Sequence, residues 1–383
     1  MARAYDAIVV GLGAMGSAVA YHLAARGVRV LGLDAHRPPH RHGSHHGESR
    51  IIRTAYYEHP AYVPLLERAF ASWAEVAERA DAALLLKTGG LMIGTEAGEL
   101  VPGVLASARA HGLAHEILSS GDLMARFPLF RLDPSMLGVR EADAGILFPE
   151  TCIRVLLNGA AAARADLRFD EPVQEWAVVP GGVQVTTTRG VYTAETLVLT
   201  AGIGMRDLVG ELRPQLRIER QVVAHFEPAG DNERLAPDRF PIFCIEEPDG
   251  AFYYGFPDLG SGCKFGHHHA GVIGEPAELE RDVSEPDVAD IRGFLARRIP
   301  QANGKLAASA VCFYTNTPDS HFVIDRHSRH ENVIVASVCS GHGFKFATVV
   351  GEIIADLARG KTPPFDLSMF RFARFAEHDR RYG

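Results

Sequence analysis

Tyr5-Asp6-Ala7-Ile8-Val9-Val10-Gly11-Leu12-Gly13-Ala14-Met15-Gly16 opens the chain, and Val28-Arg29-Val30-Leu31-Gly32-Leu33-Asp34 closes the same unit. An apolar run ends in glycines. Small residues follow as far as Arg26-Gly27, and a second apolar run ends in an acid. The pattern reads as strand, tight turn, amphipathic helix and strand. Gly11 permits the turn, Gly13 lets the backbone approach a pyrophosphate, and Gly16 lets the helix pack closely on the strand. The helix start presents free N–H groups and a positive dipole end to phosphates. Asp34 stands about 20 residues on, where a carboxylate accepts from ribose hydroxyls. The glycines alone are a weak signal. With both strands, the helix and the acid in place, they predict a dinucleotide site, without saying which dinucleotide.

The length of 383 residues suggests two or three domains, and 47% hydrophobic with 22% charged residues is ordinary globular material. A formal charge of −8 argues against nucleic acid or an anionic membrane as partner. No apolar run reaches the roughly 18 residues that span a bilayer. The N-terminal strand is preceded by neither the charged nor the apolar region of a signal peptide. The expectation is a cytoplasmic protein. Cys152, Cys244, Cys263, Cys312 and Cys339 are scattered, with no C-x-x-C. They predict free buried thiols, not a disulfide framework or zinc site.

The loop from His36 to Gly47 carries five histidines. It lacks carboxylates at ligand spacing on a helix, so a loop flanking the cofactor is the better reading and no metal is expected. Arg50 and Arg53, three apart, would share one face of a helix. Apolar Ile51-Ile52 beside them suggests an inward-pointing anion contact. Helices are expected over Tyr62–Ala80, Leu100–His111, Ser119–Phe127, Cys152–Arg164 and Glu285–Arg298. Leu84–Ile93 reads as a strand pair turning at Gly89-Gly90, and Gly138–Phe148 as one turning at Ala144-Gly145. Val173–Thr187 reads as a meander with a Pro180-Gly181-Gly182 turn, and Tyr192–Gly202 as a central parallel strand. From Ile218 to Cys312 short alternating runs predict an antiparallel layer. Strand logic returns at Val333–Ala336, then a turn at Ser340-Gly341-His342-Gly343 and a helix to about Leu357.

The expected fold class is therefore α/β, or α+β in two domains: a Rossmann-like dinucleotide domain with an inserted antiparallel-sheet substrate domain. The first takes 1–85, 145–217 and 313–383, the second 86–144 and 218–312. Such an architecture suits a flavin enzyme better than a nicotinamide one.

Two late stretches carry a specific resemblance: Ala310-Val311-Cys312-Phe313-Tyr314-Thr315, and Ser340-Gly341-His342-Gly343-Phe344-Lys345-Phe346. With Ser44-His45-His46-Gly47 and Tyr253-Tyr254-Gly255-Phe256-Pro257, the whole chain resembles the monomeric sarcosine oxidase family, which includes N-methyltryptophan oxidase. The resemblance implies FAD attached covalently through a thioether to Cys312. It implies that Lys264 lies above the flavin ring and promotes reaction with oxygen, with Arg50, His268 and Tyr314 also in the catalytic set. It implies that Arg53 and Lys345 bind the substrate carboxylate, with Tyr254 and Glu58 nearby. Gly11, Gly13, Gly16, Asp34, Ser44, His45, Arg50, Cys312, Gly341, His342, Gly343 and Lys345 would hold the cofactor. Alternation sends His267 and His269 to the opposite sheet face from His268.

The chain departs from the family pattern at Val338-Cys339, Gly204, Thr54 and Tyr57. These leave the substrate open between sarcosine and a larger N-methyl or cyclic amino acid such as N-methyltryptophan or pipecolate, with Cys339 and Gly204 favouring a roomier pocket. The expected partners are a small amino acid and O2, and the expected state is a monomer. A flavin dehydrogenase passing electrons to a carrier is the alternative reaction class, and a flavoprotein retained only for binding is the non-enzyme alternative.

Overall fold

The structure, a computed structural model, describes residues 5–230 and 232–375. Ala7–Val10 and Val30–Leu33 pair in parallel inside a six-stranded sheet. Its order from one edge is Val323–His327, His330–Ser337, Thr196–Leu199, Ala7–Val10, Val30–Leu33 and Asp166–Arg168. Every neighbour pair is parallel except the first. Both quoted strands are buried along their length, as continuous apolar runs covered on two faces must be. Alternation divides them. Val9 packs among Leu23, Ile153 and Val350 of the helices Ala14–Ala25, Pro149–Ala162 and Ala347–Ala358. Ile8 and Val10 face Val183, Val185 and Ala194 of a small sheet. That sheet is the expected meander, extended by a third strand: Val173–Val179, Gly182–Thr187 and Val191–Ala194.

The helix Ala14–Ala25 is not amphipathic. Met15 through Ala24 are all buried, because the other two helices cover the side that the sheet leaves.

A second, eight-stranded sheet runs Leu306–Asn316, Arg217–Phe226, Cys263–His268, Phe252–Asp258, Ile242–Glu246, Gly90–Gly94, Leu137–Glu141 and Glu116–Ser119. It is antiparallel apart from the Ile242–Glu246/Gly90–Gly94 pair. The helix Glu285–Arg298 seals one face, where Phe294 and Leu295 meet Phe226, Phe243, Tyr253 and Phe265. A capping box of Ser284 and Asp287 starts that helix at the expected place. The alternate side chains, Cys244, Tyr254, Lys264, Cys312 and Tyr314, turn to the opposite face.

Three local expectations give way to longer-range pairing. Leu85–Lys87 and Gly90–Gly94 do not form a hairpin: the first pairs with Gly145–Leu147, the second with the large sheet. Leu137–Glu141 and Gly145–Leu147 likewise separate into different sheets. Tyr192–Gly202 divides at Glu195, its first part joining the small sheet and its second the central one. In each case one short stretch is shared between two sheets. Among the described residues, no helix is long and apolar enough to cross a membrane.

Candidate active site

Gly11 has φ 86°, and a Cβ there would lie 2.6 Å from Ala201 Cα. A Cβ on Gly16 would collide with the Gly11 carbonyl. The helix that follows has Gly13 as its N-cap and no side-chain cap, so its first amides face outward unpaired. Asp34 closes the turn by accepting from Leu12 N–H at 2.6 Å and His36 N–H at 2.9 Å. The histidine loop folds over this end. The rings of His36 and His42 stack at 3.9 Å, and His45 lies against Gly13. Burial pulls His45 down to about 3 and His46 to about 4, so both are neutral. Among the described residues, no group of three or more His, Cys, Asp or Glu could hold a metal ion.

From here a cavity of about 500 Å³ runs under the face of the large sheet. Its lining includes Gly11, Gly13, Asp34, Ser44, His45, Arg50, Arg53, Glu58 and Tyr254, then Lys264, His268, Cys312, Tyr314, Gly341, His342, Gly343 and Lys345. Gly16 is the one predicted residue outside it, packed behind the turn.

Arg50 and Arg53 do not share a helix face. Arg50–Ile52 is a strand, paired with Gly145–Leu147, and Arg53 lies beyond its end. Arg50 binds its own loop, donating to the carbonyls of Ser44 (2.8 Å), His46 (2.7 Å) and Ser49 (2.7 Å). Gly47 and Glu48 both take positive φ, 96° and 68°. Glu150, in the first turn of the helix Pro149–Ala162, holds them by accepting from their amides at 2.8 and 3.2 Å. The twist aims carbonyls at Lys264, whose Nζ donates to Gly47 O and Ser49 O at 2.7 Å and to Ser49 Oγ at 3.2 Å. Lys264 is only 2% exposed, so it is not a solvated strand lysine. Burial pulls its pKa well below the usual lysine value. The three oxygen acceptors and the Phe256 ring, 4.7 Å from Nζ, work the other way by solvating the ammonium.

The far end of the cavity is a buried charge cluster. Arg53 donates to Ala55 O at 2.7 Å and to Glu58 at 3.0 and 3.3 Å. Burial opposes the Arg53 charge, but Glu58 keeps its pKa above the ordinary value. Burial likewise opposes the Glu58 charge, but Arg53, with Lys345, holds its pKa below that of an ordinary glutamate. Lys345 donates to His342 O at 2.7 Å and Tyr56 Oη at 3.3 Å. Burial, helped by Arg53, lowers its pKa to about 7. His342 is neutral at about 3 through burial. With Nε2 donating to Ser320 O (3.0 Å), its Nδ1 accepts from Tyr56 Oη at 2.6 Å.

Between these ends stand Cys312, Tyr314 and His268. Cys312 is 6% exposed and sits opposite Gln221 in mid-strand. Burial raises its thiol pKa, with Arg50 and Lys264 pulling the other way. His268 Nδ1 lies 3.2 Å from Tyr314 Oη, and burial holds its pKa well below the ordinary histidine value. His267 does turn away, to Asp290 at 2.9 Å. His269 does not. It follows the strand end at φ 55° and swings back to Glu219 at 3.0 Å, its ring 4.1 Å from that of His268. Strand alternation stops where the strand stops.

Residues 6–357 match the family described as FAD dependent oxidoreductase. The chain belongs to that family. This FAD-dependent oxidoreductase is 40% identical to the monomeric sarcosine oxidase of Streptomyces avermitilis, over 98% of its own length and 99% of that protein's. It is 39% identical to the N-methyl-L-tryptophan oxidase of Salmonella newport, over 97% and 100% of the two lengths. Its fold is similar to that of L-proline dehydrogenase from P. horikoshii, with TM-score 0.85 at 19% identity and 99% of each chain covered.

The residues fit FAD. The Gly11 turn is a cradle that side chains would fill, and the helix amides above it are uncapped. Buried His46 Nε2 and Thr315 Oγ1 lack partners among the described residues, and both residues line the cavity.

Sequence reasoning passed over Tyr56, Glu150, Glu141 and Phe252 and treated Tyr57 only as a departure. Glu141 accepts from the amides of Thr54 and Ala55 at 2.7 and 2.8 Å and so sets the turn that follows Arg53. No local pattern marks such buttresses, because each acts on a segment distant in the chain. Gly204 lies in the short turn Gly202–Gly204 after the strand Thr196–Leu199, at the nucleotide end. Cys339 accepts from Thr315 N–H at 3.3 Å. Both line the cavity.

Proposed function

We propose that this protein is an oxidase of N-methyl amino acids, converting sarcosine, O2 and water to glycine, formaldehyde and hydrogen peroxide, with FAD tied to Cys312 by a thioether. The observation that carries the reading is one cavity with two buried cations, Arg53 and Lys345, at one end and Lys264 beside Cys312 further along. The names of the relatives, sarcosine oxidase and N-methyltryptophan oxidase, support an N-methyl amino acid as substrate. When bound, FAD supplies a two-electron oxidant for the carbon–nitrogen bond, restored by oxygen.

The chain's own residues do the rest. Arg53 and Lys345 carry two positive charges and Glu58 one negative, leaving a single positive charge for a single carboxylate. Arg53 offers a planar fork and Lys345 a point charge, so the carboxylate is oriented as well as held. His268 and His342 are held neutral by burial, and neither supplies a strong base. The amine is taken up neutral, and its oxidation slows as pH falls and protonates the amine. Carboxylate capture runs in the other direction. Lys345 is charged below its pKa of about 7 and loses its proton as pH rises through that value.

Peroxide formed in equal amount to sarcosine consumed, together with anaerobic bleaching of the flavin by sarcosine, tests the reading. Bleaching without peroxide makes the protein a dehydrogenase, and no bleaching by any N-methyl amino acid removes the oxidase reading.

Lys345→Ala should raise the apparent substrate constant about 10- to 100-fold, as expected from losing a charged hydrogen bond of about 1.5–3 kcal/mol. In the parent protein, acetate binding followed by the flavin spectrum should weaken above pH 7, approaching about tenfold per unit. In Lys345→Ala that dependence should flatten. An unchanged slope takes Lys345 out of the carboxylate site.

A further inference from the structure

The Tyr57 ring lies between two neighbours. The Arg53 guanidinium stands 5.2 Å from its centroid on the charge-cluster side. The Phe252 ring stacks on it at 5.5 Å and 29°. Beyond the pair is a second pocket, of about 260 Å³, reached by Leu100, Glu246 and His267. Tyr57, Phe252 and His268 line both spaces. The stacked pair is therefore a partition between the active-site cavity and an outer pocket.

The partition is fixed from behind. Gly103 of the helix Leu100–His111 abuts the Tyr57 backbone so closely that a Cβ there would collide with the Tyr57 carbonyl. Ser107 Oγ in the same helix donates to Tyr56 O. The turn before it is held by Glu141. The Tyr57 hydroxyl makes no hydrogen bond among the described residues, so the ring acts by its bulk and its contacts with Arg53 and Phe252.

A carboxylate docked on Arg53 has its Cα only one bond further on, about 1.5 Å. A substituent on that carbon which turns away from the buried cations meets Tyr57 and Phe252 first. We propose that Tyr57 is the specificity-determining residue of this site, and that its ring, stacked on Phe252, confines the α-substituent to hydrogen or a small alkyl group. This rests on the N-methyl amino acid reading and narrows it. Removing the ring joins the two pockets and gives an aromatic α-substituent a lined space to enter.

The test uses holoenzyme of the parent, Tyr57→Ala, Tyr57→Phe and Phe252→Ala. One readout is anaerobic flavin reduction by sarcosine against N-methyl-L-phenylalanine. The second is perturbation of the flavin spectrum by acetate against phenylacetate, which needs no turnover. The parent should favour the small member of each pair. Tyr57→Ala should move both ratios about 100-fold toward the aromatic member, within the range that pocket shape supplies, and mainly through the dissociation constant. Tyr57→Phe should keep the parent's ratios, and Phe252→Ala should move them in the same direction as Tyr57→Ala. Unchanged ratios in flavin-loaded Tyr57→Ala, or a parent that prefers the aromatic members, overturn the proposal. If Tyr57→Ala fails to retain flavin, the Phe252→Ala ratios decide. If no N-methyl amino acid reduces the flavin of any of these proteins, the oxidase reading falls, and the acetate-to-phenylacetate ratio still judges the partition.

Discussion

Acid-precipitated protein should keep its yellow colour in the pellet, and Cys312→Ala should release that colour entirely to the supernatant. Cys312 lies in the middle of the long strand Leu306–Asn316, paired throughout with Arg217–Phe226. Its sulfur is thus aimed at the cavity by sheet register, not by a mobile loop. Cys339, which with Cys244 also lines the cavity, has its sulfur engaged by the Thr315 amide at 3.3 Å. Cys339→Ala should therefore keep the pellet yellow, and the opposite pattern would reassign the bond. A tether makes rebinding intramolecular, with an effective concentration on the order of millimolar for a short link. Without it, the flavin of Cys312→Ala should wash out on dilution. A thioether also raises the flavin's reduction potential, so Cys312→Ala reloaded with FAD should oxidise sarcosine more slowly than the parent.

Lys264→Met should slow reoxidation by oxygen about 10²- to 10³-fold, the usual scale for removing one preorganised electrostatic group. Anaerobic reduction by substrate should change far less. Lys264 is held by three oxygens from Gly47 and Ser49, so its Nζ is fixed in advance where it would meet charge developing on oxygen. Stopped-flow measurement of the two half-reactions separates the roles, and equal losses in both would contradict the assignment. Glu150→Gln offers a gentler version. It weakens the acceptor that keeps Gly47 and Glu48 in their left-handed turn, and should slow reoxidation without touching Lys264 itself. Methionine matches lysine closely in length and removes only the ammonium, so the packing against Phe256 should persist.

Much of the site was legible because its parts are local. The Gly11 turn, the flanking strands and Asp34 are close neighbours in the chain, and backbone geometry alone demands glycine at two of those places. The resemblance at the two late stretches identified Cys312, Gly341, His342, Gly343 and Lys345, which all line the same cavity. The misreadings share one cause. Leu84–Ile93, Gly138–Phe148 and Tyr192–Gly202 each look like a single local unit, yet each serves two sheets. His269 was assigned by alternation one residue past the point where alternation holds. The buttresses Glu150 and Glu141 bind backbone amides about a hundred residues or fewer away, a relation that carries no sequence period.

The sequence by itself determined that the glycine turn of a dinucleotide site stands at the first strand end and that Cys312, Lys264 and Lys345 stand far downstream. Those facts follow from short-range backbone needs and from motif identity. Only the tertiary structure decided that Arg53, Glu58 and Lys345 form one buried cluster with a single surplus charge, and that Tyr57 stands beside it against Phe252. Burial sets the charge state of Lys345 and the reach of the substrate alike, and burial is a property of the assembled sheets and helices, not of any one stretch.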